Sequence, residues 1–170
     1  MHPLWNFLKT SAATALLLFA ASTFSYAQQT LTVSLSGNSV NFNLTSGSAN
    51  NPGNTSITAT TVCSCFFQPV NVYAYFNNAA SALTNAGFNI PSSAFQISNN
   101  GGAFQALTNT GVFGGAGAGI QLSNFFTIIG PFGRTHNDTM QFNINLTGGT
   151  LPNLPPGTYT GTLNIQAQAP

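Results

Sequence analysis

The chain has 170 residues, of which 2% are charged and 43% apolar, with fifteen phenylalanines. Ordinary globular chains are roughly 25% charged, so this one lacks both the basic footprint of a nucleic-acid binder and the cationic face of a membrane-surface helix. It is rich in Asn, Ser, Gly and Thr, yet its apolar residues are too many and too regularly patterned for a disordered chain.

Lys9 precedes an apolar run over residues 12–21, and Ser25, Tyr26 and Ala27 follow with the small residues of a cleavage site. Residues 1–27 therefore read as a secretory signal. The run is about half the ~20 residues that a membrane span requires, and Asn, Gly, Pro or Thr interrupts every later apolar stretch, so no membrane span is expected. Cleavage after Ala27 leaves residues 28–170, a length that suits one domain with a real core. Of the charged residues only Arg134 and Asp138 remain, with His136 as the titratable third. Copies of such a chain repel one another little.

Short alternating runs recur between turn signals, and helical periodicity is missing almost everywhere. Residues 30–36 place Leu31, Val33 and Leu35 on one face. Gly37 and Asn38 give a two-residue turn signal, after which residues 39–45 offer Val40, Phe42 and Leu44. A loop rich in Gly, Ser, Asn and Pro leads to strands over 55–65 and 71–76, separated by Pro69. Residues 81–91 fit an irregular loop or a weak strand. The runs AFQIS and AFQAL flank NNGG at 99–102 as a hairpin. Residues 111–119 form a glycine-rich connection without the strand–helix setting of a phosphate-binding loop. Strong strands follow at 120–129 and 139–147. Pro155, Pro156 and Gly157 then start a run in which Tyr159, Gly161, Leu163, Ile165, Ala167 and Ala169 share one face, with Thr160, Thr162, Asn164, Gln166 and Gln168 on the other. This pattern predicts an all-β fold, an immunoglobulin-like antiparallel β-sandwich. Phe42, Phe66, Tyr73, Phe76, Phe126, Phe142 and Leu163 are its expected core.

Cys63 and Cys65 are the only cysteines. At i and i+2 of an extended strand their Cα atoms stand ~6.5 to 7 Å apart, at the limit of disulfide geometry. Three readings stand: a distorted or terminal-turn disulfide, free or intermolecular thiols, and a metal site, which two thiolates without a nearby His or acid make poorly. Arg134, His136 and Asp138 alternate in RTHND and read as a solvated hairpin whose few charges satisfy one another. No nucleophile oriented by His136 is evident, and a single acid excludes the paired carboxylates of ordinary glycoside hydrolysis. No catalytic group, metal or cofactor is expected. Asn43, Asn54, Asn137 and Asn145 open glycosylation triplets, which so Asn- and Thr-rich a chain supplies by chance.

The signal-like start, VNFNL at 40–44, ITATTVCSC at 57–65, VNVYAYF at 70–76 and above all LPPGTYTGTLNIQAQ at 154–168 resemble the spore coat protein U family and its relatives among the archaic chaperone–usher pilins. The likeness rests on short motifs that follow in order through most of the mature chain. It implies an immunoglobulin-like subunit that lacks one strand. A groove beside the C-terminal strand, here Tyr159, Gly161, Leu163, Ile165 and Ala167, would be filled by the next subunit's extended N-terminal segment. The donor-type segment would be residues 28–36 with Leu31, Val33 and Leu35, whose burial is worth about 5 to 9 kcal/mol before ordering costs. The implied partners are copies of the chain or related subunits, a periplasmic chaperone and an outer-membrane usher. The implied location is the periplasm in transit and then the bacterial surface.

Two arrangements stay open for residues 30–36: donation to another molecule, or a hairpin folded back onto residues 39–45. The expected function is that of a non-enzymatic structural subunit of a fibre, pilus or coat. The alternative is a monomeric extracellular module that binds carbohydrate or an adhesion target.

Overall fold

The structure, a computed structural model, describes residues 29–111, 116–128, 133–148 and 151–169. The expected signal over residues 1–27 lies outside the described residues. Ten strands make up about half of the described chain: β1 (Thr30–Leu35), β2 (Ile57–Ser64), β3 (Gln68–Phe76), β4 (Leu83–Asn85), β5 (Phe88–Ile90), β6 (Phe95–Asn99), β7 (Gln105–Ala106), β8 (Ala118–Thr127), β9 (Arg134–Ile144) and β10 (Asn164–Gln168). Two sheets, ordered β1-β2-β9-β6-β7 and β10-β3-β8, pack face to face, and β4 pairs with β5 in a small hairpin. Every ladder is antiparallel. Among the described residues no helix is long and apolar enough to cross a membrane.

The inner faces follow the period of two that half-buried strands require. On β2, Ile57, Ala59, Thr61 and Cys63 are buried while the residues between them are partly exposed. Val70, Val72, Ala74 and Phe76 of β3 form the opposite wall. Phe95 lies at the centre, with the rings of Phe42, Phe76 and Phe142 at 5.1 to 6.0 Å. The β6–β7 hairpin expected around NNGG is present. Asn100 and Gly101 both take positive φ, 51° and 76°, as a twist-compatible tight hairpin demands. Residues 81–91, open between loop and strand, form the β4–β5 hairpin, turned by Ala86 and Gly87 at φ 47° and 88°.

Three expectations need correction. Gly37 and Asn38 do not turn the chain back: β1 pairs with β2, Leu31 opposite Cys63 and Leu35 opposite Ala59. Residues beyond Gly37 continue alongside 51–54, where Phe42 bridges Gly53 and the Asn54 amide donates to the Asn41 carbonyl at 2.9 Å. A turn signal needs a partner strand of adequate burial, and β2 offers the better one. Phe126 faces outward, 44% exposed, and Phe125 is buried in its place. The cause is a bulge: Val72 pairs with Ser123 but Tyr73 with Gln121, so Leu122 is an extra residue and the alternation changes phase there. Phe66 is also exposed, because β2 ends at Ser64 and the chain turns before β3 begins.

Candidate functional site

The C-terminal run is built by a sequence of local constraints. The Tyr159 hydroxyl donates to the Pro155 carbonyl at 3.1 Å, a tie like the tyrosine corner of immunoglobulin-type sandwiches. Thr160 then exchanges two backbone hydrogen bonds with Thr84 of β4, at 2.9 and 3.0 Å. Gly161 follows against the Ala82 carbonyl and the Leu83 side chain, where a Cβ would collide with both. Any other residue would push the strand off β4, so glycine is dictated by close approach rather than by φ. The ladder with β3 resumes at Asn164 opposite Tyr75 and ends with Gln168 opposite Asn71. Leu163, Ile165, Ala167 and Ala169 point at the core as the alternation predicts, yet all four are only partly buried.

They are partly buried because β10 pairs on one side alone. Among the described residues its outer edge has no strand neighbour. Along that edge opens a cleft of about 360 Å³. Residues 158–163 and Ile165 form one wall, Leu35 and residues 37–42 the other, and Ile57, Phe76, Met140 and Phe142 are core residues reached between them. A second hollow of about 490 Å³ lies beyond Phe42 and Tyr159, against Leu44, Ile144, Leu146 and Leu154. Near the other end of β10 the gap narrows: Leu31 packs on the same small cluster as Ala167 and Ala169.

The expected donor residues Leu31, Val33 and Leu35 all lie on β1, seated on β2 of the same chain. Leu31 and Val33 are partly buried, and Leu35 is 47% exposed. The expected acceptor residues Tyr159, Gly161, Leu163, Ile165 and Ala167 lie together along the cleft and β10. The opposite wall includes Val40 and Phe42, which the sequence pattern assigns with Leu44 to one strand face, and Phe42 to the core, but not to a groove wall.

Of the readings for the cysteines, the structure carries the disulfide. Cys63 and Cys65 are bonded, both buried, with Cα atoms 5.2 Å apart. The strand ends between them, and this shortens the spacing that an extended chain would impose. The bridge precedes Phe66 and Phe67, which meet edge to face at 4.7 Å on the surface, Phe67 at φ 49°.

RTHND is not a solvated hairpin. Arg134, His136 and Asp138 lie on the core-facing side of β9, and Asp138 is fully buried. Its carboxylate accepts from Asn99 Nδ2 at 2.7 Å and Ser123 Oγ at 2.8 Å, joining β6, β8 and β9. His136 Nε2 is 3.4 Å from the same carboxylate, within reach of attraction but out of line for a hydrogen bond. Its ring stacks on Phe125 at 4.7 Å, and the Arg134 guanidinium lies 5.5 Å above that ring. Arg134 Nη1 also donates to the Phe126 carbonyl. The bulge at Leu122 is what turns Ser123 inward toward Asp138, so a purely local reading of RTHND could not place it. No family model, curated protein or solved structure significantly matches this chain.

Proposed function

We propose that this chain is a secreted, non-enzymatic structural subunit that assembles with further copies by β-strand addition along the outer edge of β10, as its resemblance to spore coat protein U and the archaic pilins implies. One observation carries the reading: among the described residues β10 has no outer strand neighbour, and it borders an apolar cleft that reaches core residues. An added strand would supply backbone partners to that edge and apolar side chains to the cleft at once. The donor is the N-terminal segment with Leu31, Val33 and Leu35. To donate, β1 leaves β2, and its shallow burial makes this the least costly detachment among the long strands. Head-to-tail donation does not close on itself and yields filaments. An open edge of this kind is prone to wrong pairing before assembly, which is the task of a periplasmic chaperone, with an outer-membrane usher as the assembly point.

The mature chain, residues 28–170, should form filaments visible by negative-stain electron microscopy, and removal of residues 28–36 should abolish them. A wild-type chain that stays monomeric at all concentrations, or filaments that persist in the truncated chain, would sink the proposal. The pairing of β1 with β2 within one chain favours the second reading, a monomeric extracellular module binding carbohydrate or an adhesion target, which predicts the first of those results.

A further inference from the structure

We infer that the exchanging unit is the whole arm of residues 29–45, hinged at residues 46–47, and that it docks on a second copy of this chain; this rests on the strand-addition reading. Burial draws the boundary. No residue from 29 to 50 is buried, whereas Asn51 is 1% exposed. Val40, Phe42 and Leu44 lean on the core as Leu31 and Val33 do, all only partly buried. The chain is fixed from Ser48 onward: the Ser48 carbonyl accepts from Leu146 N at 2.9 Å and the Ala49 carbonyl from Asn143 Nδ2 at 3.1 Å, the Asn51 amide donates to Asn143 Oδ1 at 2.7 Å and its Nδ2 to the Ile144 carbonyl at 2.8 Å, and the Gly53 amide donates to the Phe142 carbonyl at 2.9 Å.

At Gly37 the only tie beside it is exposed: Ser36 N donates to the Thr58 carbonyl at 2.9 Å and Thr58 N to Ser36 Oγ at 2.8 Å, with no buried group comparable to Asn51 among the described residues. The chain on both sides of Gly37 is equally shallow, so β1 has no fixed point from which to swing alone. The turn over 45–51 has the features of a hinge. Gly47 holds φ at 72°, and the turn is closed by short-range bonds, Ser48 N to the Thr45 carbonyl at 3.0 Å and Thr45 N to Asn51 Oδ1 at 2.6 Å. Opening it about Gly47 leaves the ties of Ser48 and Ala49 to Leu146 and Asn143 in place.

The occupant follows from the shape of the seat. The arm forms one wall of the cleft beside β10, so its departure joins seat and cleft into one uncharged trench from Gly53 to β10. The segment fitting that trench is another arm: it carries the same apolar side chains at the same spacing and can restore the pair in which Asn54 N donates to the Asn41 carbonyl and Asn41 N to Asn54 Oδ1.

The test is a cross-link across that pair, N41C/N54C, at two exposed positions. It pins residues 39–45 to the body and leaves β1 free. Oxidised, the variant should form no filaments; reduced, it should form them as wild type does under the same reductant. Filaments from the oxidised variant would overturn the long arm while leaving strand addition intact. Absence of filaments from wild type would instead overturn strand addition. Hydrogen exchange on wild-type monomer decides the case even if the variant folds poorly. The amides of Ser36 and Asn41 should exchange together and faster than those of Gly53 and Ile144. Core-level protection at Asn41 beside rapid exchange at Ser36 would refute a single unit.

Discussion

Replacing Asp138 with alanine removes the acceptor of two donors at once. Asn99 Nδ2 and Ser123 Oγ both end on this carboxylate, which no solvent reaches. A hydrogen bond to a carboxylate is worth about 1.5 to 3 kcal/mol, so the gross loss is about 3 to 6 kcal/mol. Relief from holding a carboxylate away from water returns part of this. The orphaned donors decide the balance, because each unpaired buried group costs about 1 to 3 kcal/mol. The net expectation for D138A is a loss of about 2 to 4 kcal/mol, with D138N costing less since one acceptor oxygen survives. Urea unfolding followed by circular dichroism measures both. A double-mutant cycle with S123A should give a coupling of about 1.5 kcal/mol or more. Additive effects within about 0.5 kcal/mol, or D138A as stable as wild type, would refute the claim that this carboxylate ties the two sheets together.

G161A should lower stability by about 2 kcal/mol or more, read as a fall in melting temperature, because the added Cβ meets the Ala82 carbonyl and neither backbone can yield. C63S/C65S should cost only about 1.5 kcal/mol in urea, since a bridge across one intervening residue closes a very short loop; a loss above about 4 kcal/mol would contradict that. Deletion of Leu122 should remove the bulge and leave the register intact on both sides, Gln121 opposite Tyr73 and Ser123 opposite Val72, so the variant should fold and lose only about 2 to 4 kcal/mol, the packing of the Leu122 side chain. A deletion variant that cannot fold would show that Leu122 is not the extra residue of β8.

The sandwich was legible in the sequence because most strands keep one face inward along their length. Ile57 to Cys63 obey the period-two rule without exception, and β3 from Val70 to Phe76 departs from it only at Tyr73, which is buried as well. The inward face of the C-terminal run was equally plain, from Tyr159 to Ala169. What stayed hidden depends on long-range partners. Nothing local marks Leu122 as the extra residue of β8, so the sequence pattern alone assigns Phe126 to the core and leaves Asp138 in solvent. Gly37 and Asn38 match a hairpin turn, yet β2 outcompetes residues 39–45 for β1. The alternation of residues 159–169 identifies an inner face but not whether the edge beside it is filled.

The sheet edges differ in protection, and that difference supports assigning assembly to β10. The outer edge of β8 is covered at three heights. Asn109 and Gly119 exchange backbone hydrogen bonds at 2.9 Å, Asn99 Nδ2 donates to the Leu122 carbonyl at 3.0 Å, and Arg134 donates to the Phe126 carbonyl. Side chains that satisfy an edge carbonyl deny it to an incoming strand. Arg134 covers the most vulnerable stretch, where Phe126 and Ile128 are 44% and 57% exposed. R134A should therefore create a second route of association, independent of the arm. In the oxidised N41C/N54C background, where the arm is pinned, R134A should self-associate at a concentration at least about tenfold below that of its parent, the equivalent of one lost hydrogen bond of about 1.4 kcal/mol. R134K, which keeps a donor and the charge, should fall between them. Analytical ultracentrifugation across a concentration series separates the three. If R134A in that background stays as monomeric as its parent, Arg134 does not guard the edge, and the contrast between β8 and β10 loses its force.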